Sequence, residues 1–332
     1  MTLQWITFVL SAGAIVLAGI RLAPYGEAIG RHTGIGQGWI GLLFLATLTS
    51  IPEMTTTVTG ATIDASNIAL GNAFGSNLFN IAVIVVLDIL LLGRGPFLLK
   101  VRSYHILSGS VAVLLTLIAA LGILVDLPTT LLGISPFSWL ILAGYVAGVV
   151  VLFHAERQDE MIEEERTVPM SLRKGIVGFA ICGVVVIVSG FFLVFSSKRI
   201  ALSTGLSESF MGAILVAIVT SLPELATSIG ALRIGAYDMI VGDLFGSNMF
   251  NILTVFFADA AFRSGSILNG LQGGEGDQLI VAICGVLLTV IATTAIAIRS
   301  RRRVLGVGVD SVMLGVVYVL ATALIVSRGI QF

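Results

Sequence analysis

The chain has 332 residues, of which 57% are hydrophobic and 11% are charged, and its mean hydropathy is +1.06. A soluble core cannot hide that much apolar surface, so the composition excludes an ordinary water-soluble domain and indicates a polytopic membrane protein. The formal net charge is −1, and no basic run with interleaved aromatic residues indicates nucleic-acid binding.

The hydropathy of the chain predicts ten membrane-spanning helices when it is read in windows of about 20 residues. In chain order the predicted spans cover residues 3–22, 36–62, 68–92, 104–125, 134–153, 175–195, 209–232, 239–261, 278–298 and 305–327. The first span has no basic lead-in, which is typical of a retained helix rather than a cleaved signal peptide. We therefore expect an all-α polytopic membrane protein.

A polar segment at residues 154–174 separates the first five spans from the last five. It carries six acidic residues, Glu156, Asp159, Glu160, Glu163, Glu164 and Glu165. Such a run is typical of a solvated connector, although a regulatory cation sensor is an alternative that the sequence leaves open. We expect a first five-helix repeat at 1–153, an acidic linker at 154–174 and a second five-helix repeat at 175–332.

Lysine and arginine residues are distributed unequally between the two sides of the predicted membrane. Fourteen of the 18 lie on the side that holds the linker, and four lie on the other side. Because cytoplasmic loops are enriched in these residues, the asymmetry predicts a cytoplasmic linker and both termini outside. We expect an integral protein of the plasma membrane, which in a prokaryote is the inner membrane.

Two sequence motifs occur twice at a constant interval. Thr-Ser-Ile-Pro-Glu at 49–53 returns as Thr-Ser-Leu-Pro-Glu at 220–224. Likewise, Gly-Asn-Ala-Phe-Gly-Ser-Asn-Leu-Phe-Asn-Ile at 71–81 returns as Gly-Asp-Leu-Phe-Gly-Ser-Asn-Met-Phe-Asn-Ile at 242–252. Equivalent residues are 171 positions apart throughout, which indicates a duplicated unit. Because each unit has an odd number of crossings, the second enters from the opposite side, and we predict two inverted five-helix repeats.

Each Thr-Ser-x-Pro-Glu segment predicts a broken helix with an acid beside the break. Pro52 and Pro223 have no amide hydrogen, so the carbonyl four residues earlier loses its helical partner. In lipid, such free backbone oxygens persist only where protein, water or a bound ion satisfies them. The acid and two hydroxyls share one face of the turn in each copy. These candidate ligands are Thr49, Ser50 and Glu53, and Thr220, Ser221 and Glu224.

An alternative interpretation is that the two glutamates pair with a buried base. The predicted spans contain no Lys or Arg near their centres. An ionised carboxylate at the bilayer centre costs roughly 2.5–3.5 kcal/mol on insertion scales, so an acid without a fixed partner must be protonated, hydrated or bound to a mobile cation. We therefore favour a cation site.

The second motif places a polar stripe along an otherwise apolar helix. Its members recur at i, i+4 and i+8, and they are Asn72, Ser76 and Asn80 in the first copy and Asp243, Ser247 and Asn251 in the second. The stripe predicts a second wall of ligands, although hydrogen bonds that only join helices are the alternative. Glycines one turn apart, Gly71 with Gly75 and Gly242 with Gly246, predict close approach of another backbone.

The candidate ligands are carboxylate, hydroxyl, amide and backbone oxygens, and no cysteine or histidine lies nearby in the motifs. This set suits Ca²⁺, Na⁺ or Mg²⁺ and disfavours zinc or copper. Flexible coordination by many oxygens favours Ca²⁺ over Mg²⁺. Once emptied of Ca²⁺, the same acids must take up Na⁺ or H⁺ before the site can reorient, which predicts antiport.

These motifs resemble those of the cation/calcium exchanger superfamily, and of its prokaryotic sodium/calcium exchangers in particular, over essentially the whole chain. The resemblance implies two inverted five-helix halves, each with one alpha-repeat. It implies that Glu53 and Glu224 are the central cation ligands. It further implies four hydroxyl, two backbone-carbonyl and two amide ligands, from Ser50, Ser76, Ser221 and Ser247, from Thr49 and Thr220, and from Asn80 and Asn251, respectively.

The sequence departs from the family pattern at several positions. Leu48 and Val219 replace the glycine that usually opens the first motif, which is expected to narrow or stiffen the break. Asp243 occupies a usual asparagine position, and Asn251 stands where some prokaryotic members have aspartate. Because fixed charge decides how many Na⁺, H⁺ or Ca²⁺ ions are held together, these departures leave the coupling ion open.

The sequence therefore predicts a secondary-active antiporter that exchanges Ca²⁺ for Na⁺, with an H⁺-coupled exchanger of Ca²⁺ or another divalent cation as the alternative. A cation channel is less favoured. We expect no enzyme, because Ser76 and Ser247 have no histidine in their motifs to act as a base, and no cofactor. The expected partners are inorganic cations and the lipid bilayer, and a monomer is compatible with the sequence.

Asp88 and Asp259 are also equivalent in the repeat, and both fall near predicted span ends. They fit either an access path or proton relay, or ordinary hydration at the membrane interface. His32, His105 and His154 lie at predicted loop edges, so no histidine-based pH switch is expected.

Overall fold

The computed structural model describes residues 2–92, 95–125, 127, 129–159, 170–204, 217–269, 271 and 275–327, and these are predominantly helical. The α-helices in chain order are α1 Thr2–Thr33, α2 Gln37–Thr49, α3 Ile51–Thr62, α4 Ser66–Leu90, α5 His105–Val125, α6 Pro136–Asp159, α7 Leu172–Thr204, α8 Ala217–Thr220, α9 Leu222–Ile234, α10 Tyr237–Ala261, α11 Glu275–Ile298 and α12 Val309–Ser327. The middle of α2, Ile40–Leu45, is π-helical, and Phe97–Lys100 forms a 3₁₀ turn. Strands β1, Arg303–Val304, and β2, Val307–Gly308, form an antiparallel hairpin with Arg303 opposite Gly308.

Eight helices in the described part of the chain are long and apolar enough to cross a membrane: α1, α4, α5, α6, α7, α10, α11 and α12. Each matches a predicted span, although α1 and α7 continue well beyond the predicted ends. Hydropathy marks the apolar part of a helix, whereas the helix itself continues while its backbone hydrogen bonds remain satisfied. In α1 the additional turns carry an ion pair between Arg31 and Glu27, four residues apart.

Helix α10 lies at the centre of the bundle. It packs against α2, α3, α4, α5, α6 and α9. In its most apolar stretch 89% of the residues are buried within the protein, compared with 22% for α7, which pairs with α1 at the side of the bundle. An apolar helix that exposes most of its surface needs lipid around it, so α7 is a peripheral membrane helix and α10 is a core helix.

The two remaining predicted spans, 36–62 and 209–232, are interrupted at a serine. Helix α2 ends at Thr49 and α3 begins at Ile51, and the intervening Ser50 has φ −89° and ψ 8°. Helix α8 ends at Thr220 and α9 begins at Leu222, with Ser221 at φ −89° and ψ 12°. Each proline lies in the first turn of the following helix, where a missing amide costs no hydrogen bond. The predicted breaks are therefore confirmed.

The polar segment at 154–174 differs from the prediction at both ends. Helix α6 extends to Asp159 and α7 begins at Leu172, so only the middle, 160–169, lies outside the described residues. Glu156 was expected in a solvated connector, but its side chain is buried and accepts hydrogen bonds from the Trp39 amide, at 3.0 Å, and the Tyr104 hydroxyl, at 3.1 Å. The division into repeats at 1–153 and 175–332 stays a prediction.

The prediction that His105 lies at a loop edge is confirmed, because His105 is the first residue of α5. Its side chain, however, is fully buried, and its Nε2 lies 3.4 Å from Asp238 Oδ1. The N-terminus of α10 covers it, and only the packing of these two helices reveals that contact.

Asp88 and Asp259 serve as clamps that hold helix starts. Asp88 Oδ1 accepts the amide of Phe97 and Asp88 Oδ2 accepts the amide of Gly308, each at 2.7 Å. Asp259 Oδ1 accepts the amide of Ile267, and Asp259 Oδ2 accepts the amide of Ser135 and the hydroxyl of Ser138, all at 2.7 Å.

Gly308 precedes α12 and Ser135 precedes α6, so each aspartate holds the start of the last helix in the opposite half of the chain. Both side chains are at most 2% exposed. Backbone amides occupy both carboxylate oxygens, so the structure favours neither of the two expected roles, the hydrated interface or the relay. Instead, each acid is a structural anchor at a helix N-terminus.

Asp259→Asn is expected to destabilise the fold. An amide nitrogen would replace one acceptor oxygen and would face a buried N–H, which costs roughly 1–3 kcal/mol of unfolding free energy. Thermal unfolding in detergent measures this loss. The control is Asp64→Asn, because Asp64 accepts only the exposed Ser264 hydroxyl. An unchanged melting temperature combined with slower ion flux would point to a relay instead.

Candidate cation site

The two glutamates of the repeated motif lie beside the two helix breaks. Glu53 is in the first turn of α3 and Glu224 is in the first turn of α9. Their side chains are 1% and 0% exposed, respectively. Ser221 Oγ donates to Glu53 Oε1 and Ser50 Oγ donates to Glu224 Oε1, each at 3.1 Å. Each serine thus binds the acid of the other break, and the two motif copies meet.

Neither glutamate has a base beside it in the described part of the chain. The ion pairs found there are Arg31 with Glu27, and Arg102 and His105 with Asp238. The second oxygen of each acid, Oε2, is buried and has no hydrogen-bond partner. The described part of the chain therefore offers no buried base to these acids, and among its residues no fixed positive charge faces them.

Several side-chain oxygens on α4, α9 and α10 also lack a hydrogen-bond partner in the described part of the chain. Buried oxygens of this kind belong to Ser76, Asn72, Asn80, Asn251 and Ser228. Native proteins satisfy most buried polar atoms, so these oxygens require an explanation. All of these oxygens can accept a hydrogen bond or coordinate a metal, and hard cations such as Ca²⁺ prefer neutral and charged oxygens of these types.

The hydroxyls that donate hydrogen bonds keep lone pairs for a cation. Ser50 and Ser221 donate to the acids, and Ser247 Oγ donates to Glu224 Oε1 at 3.4 Å. A hydroxyl has one hydrogen and two acceptor lone pairs, so each can donate and coordinate at once. Thr49 and Thr220, which precede the breaks, are 0% and 1% exposed, and Thr49 Oγ1 donates to Leu45 O at 3.0 Å.

Asn72 and Asp243 occupy equivalent positions but make different contacts. Asn72 Nδ2 donates to the Glu53 carbonyl at 3.1 Å and to Thr57 Oγ1 at 3.0 Å. Asp243 Oδ2 instead lies 2.6 Å from Thr227 Oγ1, and Asp243 Oδ1 lies 3.4 Å from Thr49 Oγ1, whose single hydrogen is closer to Leu45 O. Threonine hydroxyls thus engage both oxygens of Asp243.

Among the described residues no three His, Cys, Asp or Glu side chains form a metal-binding group. Asp243 therefore does not join Glu53 and Glu224 as a third clustered acid. It contacts the end of α2 through Thr49 and the first turns of α9 through Thr227.

Two asparagines that the sequence analysis assigned no role interlock the stripes. Asn77 Nδ2 donates to the Asn248 carbonyl at 3.2 Å, and Asn248 Nδ2 donates to the Asn77 carbonyl at 3.3 Å. The ligand candidates Asn80 and Asn251 donate through Nδ2 to Asn248 Oδ1 and Asn77 Oδ1, each at 3.1 Å. The signal in the sequence was the constant register of Gly-Ser-Asn in both copies.

The backbones of α2 and α10 touch at three glycines. A Cβ atom added to Gly41 would lie 2.1 Å from the Met239 carbonyl oxygen. One added to Gly242 would lie 2.3 Å from the Gly38 oxygen, and one added to Gly246 would lie 2.4 Å from the Leu42 oxygen. The predicted close approach is confirmed for Gly242 and Gly246. For Gly71 and Gly75 the equivalent partner segment, near 209–213, lies outside the described residues.

The family model described as "Sodium/calcium exchanger protein" matches residues 3–154 and 174–327. The chain belongs to the sodium/calcium exchanger family.

Curated relatives of this exchanger-family chain cover most of its length. It is 30% identical over 277 residues to the inner membrane protein YrbG of Escherichia coli, which covers 78% of this chain and 82% of YrbG. It is 23% identical over 324 residues to the sodium/calcium exchanger MaX1 of Methanosarcina acetivorans, which covers 88% of this chain and 92% of MaX1.

A solved structure has the same fold as this family member. It is the sodium-calcium exchanger NCX_Mj soaked with Na⁺ and Ca²⁺, and the superposition has a TM-score of 0.73 at 21% identity. It covers 97% of this chain and 98% of the solved chain.

Gly246→Ala is expected to separate α2 from α10 and to weaken cation binding. Its Cβ would also lie 2.9 Å from Ala46 Cβ, so the backbone must shift, and overpacking of this kind costs roughly 1–3 kcal/mol. Thermal unfolding and equilibrium binding of radioactive Ca²⁺ measure the two effects. Gly276→Ala is the control, because nothing lies within 4 Å of its added Cβ. If the two variants had equal melting temperatures and equal Ca²⁺ affinities, the close contact of α2 with α10 would not be a requirement for cation binding.

Proposed function

We propose that this protein is a secondary-active antiporter that exchanges Ca²⁺ for Na⁺ by alternating access. The observation that carries the proposal is the pair Glu53 and Glu224: two buried acids from two helix breaks, each hydrogen-bonded by the other break's serine and each with one oxygen that has no partner. Because both acids are buried without a base in the described part of the chain, a mobile cation is the partner that balances their charge.

The proposed ligands surround this pair of acids. Glu53 and Glu224 supply the charge, while hydroxyl, amide and carbonyl oxygens complete the coordination. These further ligands are Ser50, Ser76, Ser221, Ser247, Asn80 and Asn251, with the backbone carbonyls of Thr49 and Thr220. Asn72 and Asp243 form the outer wall, where Asn72 Oδ1 has no partner and Asp243 holds Thr49.

The charge of the site favours Ca²⁺ as the transported divalent cation. Two carboxylates neutralise one divalent ion, and six to eight flexible oxygen ligands suit Ca²⁺ better than Mg²⁺. When Ca²⁺ leaves, the acids are again unbalanced in a low-dielectric interior, and the site can reorient at acceptable cost only after monovalent cations enter. The name of the relative MaX1, a sodium/calcium exchanger, supports Na⁺ in that role.

We further propose ten membrane crossings in two inverted five-helix repeats. In this arrangement α2 with α3 forms one broken crossing and α8 with α9 forms its counterpart. The Lys and Arg asymmetry puts the linker in the cytoplasm and both termini outside. The relative YrbG is named as an inner membrane protein, which supports the same membrane here. Transport of this kind requires neither catalysis nor a cofactor.

A proton-coupled exchanger is the second candidate, and one observation favours it. Asp243 is a third acid that is 1% exposed, and it lies beside the site with only threonine hydroxyls as described partners. A carboxyl group in such surroundings can carry a proton when the cation leaves. The coupling ion must therefore be measured directly.

Fluxes in proteoliposomes test the function. We expect an outward Na⁺ gradient to drive uptake of radioactive Ca²⁺ at clamped membrane potential, and an equal pH gradient to drive none. Uptake driven by the pH gradient alone would identify the proton-coupled exchanger. Ca²⁺ currents that need no counter-ion gradient would identify a channel.

Glu53→Gln and Glu224→Gln are each expected to abolish the exchange. Loss of one partner from a buried charge pair costs roughly 3–5 kcal/mol, which corresponds to a loss of Ca²⁺ affinity of about a hundredfold or more. Glu275→Gln is the control, because Glu275 is exposed in the first turn of α11. If both glutamine variants retained Na⁺-driven Ca²⁺ uptake, the proposed site would be wrong.

A further inference from the structure

Four asparagines form a closed network at the crossing of α4 and α10. They are Asn77 and Asn80 on α4 and Asn248 and Asn251 on α10, and none is more than 4% exposed. The four hydrogen bonds of the network are 3.1–3.3 Å long, and all of them join α4 to α10. The contacts of the first copy repeat in the second with the roles of the two helices exchanged.

Backbone carbonyls fix the orientation of the two inner amides. The carbonyls of Asn248 and Asn77 can only accept, so the side-chain atoms that face them, Asn77 Nδ2 and Asn248 Nδ2, must be the donors. Asn77 Oδ1 and Asn248 Oδ1 therefore face away from these carbonyls as acceptors. If Asn77 were flipped, its oxygen would lie against the Asn248 carbonyl and its nitrogen would lie against the nitrogen of Asn251.

The inner amides in turn orient the outer ones. Asn77 Oδ1 accepts Asn251 Nδ2, and Asn248 Oδ1 accepts Asn80 Nδ2. With its nitrogen held in this way, each outer amide directs its oxygen elsewhere. Asn80 Oδ1 and Asn251 Oδ1 are both buried and have no hydrogen-bond partner, and both belong to the proposed ligand set.

We infer that Asn77 and Asn248 are positioning residues for the transported cation. Asn77, in the first half, fixes the amide of Asn251 in the second half and so orients Asn251 Oδ1. Asn248, in the second half, does the same for Asn80 Oδ1 in the first half. Neither residue touches the cation. The inference rests on the proposed function, because it assigns these residues to the same cation site.

The network also makes the two amides depend on contact between the halves. Any separation of α4 from α10 breaks all four hydrogen bonds together and releases both amides to rotate. The correct donor set therefore exists only when the crossing of α4 and α10 is intact. Outer partners of this kind typically change metal affinity by about 10–100-fold when they are removed.

A crossed double-mutant cycle tests the inference. Asn77→Ala and Asn248→Ala are each expected to raise the Ca²⁺ concentration for half-maximal Na⁺-driven uptake by about tenfold, with the maximal rate per folded protein retained. Combined with Asn251→Ala, Asn77→Ala should cause little further change, whereas with Asn80→Ala its effect should persist in full. Asn248→Ala should show the reverse pattern, coupled to Asn80 and not to Asn251.

The crossed pattern separates positioning from loosening of the helix crossing. A merely structural role would act equally in both backgrounds, and that result overturns the inference. Thr254→Val is the matched control, because Thr254 Oγ1 is buried on the same helix and, among the described residues, donates only to the Asn251 carbonyl of that helix. The equivalent residue in the first half is Val83.

Two further arms keep the test decisive. If Asn77→Ala is not recovered folded, Asn248→Ala carries the same cycle with Asn80, and absence of coupling there overturns the inference. Wild-type liposomes that show no Ca²⁺ exchange would contradict the proposed function itself. Normal wild-type exchange with unchanged half-maximal Ca²⁺ concentrations in both asparagine variants would contradict only the positioning role.

Discussion

The free energy of two carboxylates in a low-dielectric interior is the constraint on which the rest of the structure depends. Glu53 and Glu224 are buried, and no base in the described part of the chain lies beside them. Serine hydroxyls and the amino ends of α3 and α9 offset part of this cost, because donors and helix N-termini stabilise negative charge. In the proposed site, a transported cation offsets the remainder. A fixed arginine would stabilise the fold more, but it would occupy the site permanently.

The same constraint explains why so many contacts cross between the halves of the chain. Three kinds of contact occur in equivalent pairs: a serine with a glutamate, an asparagine with an asparagine, and an aspartate with the start of a helix. A site built from both halves is complete only when they meet, so its geometry depends on their relative position. In the proposed exchanger, reciprocal contacts of this kind would couple ion binding to the arrangement of the two halves, which is the coupling that alternating access requires.

The sequence predicts the parts of this site that depend on local chemistry. Proline and serine at a constant register predict the breaks at Ser50 and Ser221, and the glycines predict the contact of α10 with α2. Hydropathy predicts eight long helices to within a few turns, but it cannot reveal that Glu156 is buried. That burial depends on the Trp39 amide, which lies 117 residues away along the chain.

The interlocked asparagines and the clamping aspartates could not be predicted for a similar reason. From the sequence alone, Asn77 cannot be distinguished from an asparagine that only joins two membrane helices. Its role becomes visible once the crossing of α4 with α10 is known. Asp88 near a helix end fits an interfacial acid until the hairpin before α12 supplies the Gly308 amide. In both cases the sequence identifies the residue type and its symmetry, whereas distant packing determines its role.

The pair Asn72 and Asp243 indicates where the two halves stop being equivalent. Asn72 ties the carbonyl of Glu53 directly to α4 through its amide nitrogen. In the second half Thr227 Oγ1 lies 3.0 Å from the Glu224 carbonyl and 2.6 Å from Asp243 Oδ2. Its single hydrogen serves one of these acceptors at a time, so the hydroxyl links both only when Asp243 is protonated and donates to it. The equivalent residue in the first half, Thr56, bonds only to its own helix at Pro52 O. In each half, therefore, contacts connect the polar stripe to the turn that carries the glutamate. In the second half the stripe residue in this position is an acid, Asp243. That acid also lies 3.4 Å from Thr49 Oγ1 at the opposite break, so a change in its charge would act on groups of both breaks, and it has no acidic counterpart at Asn72.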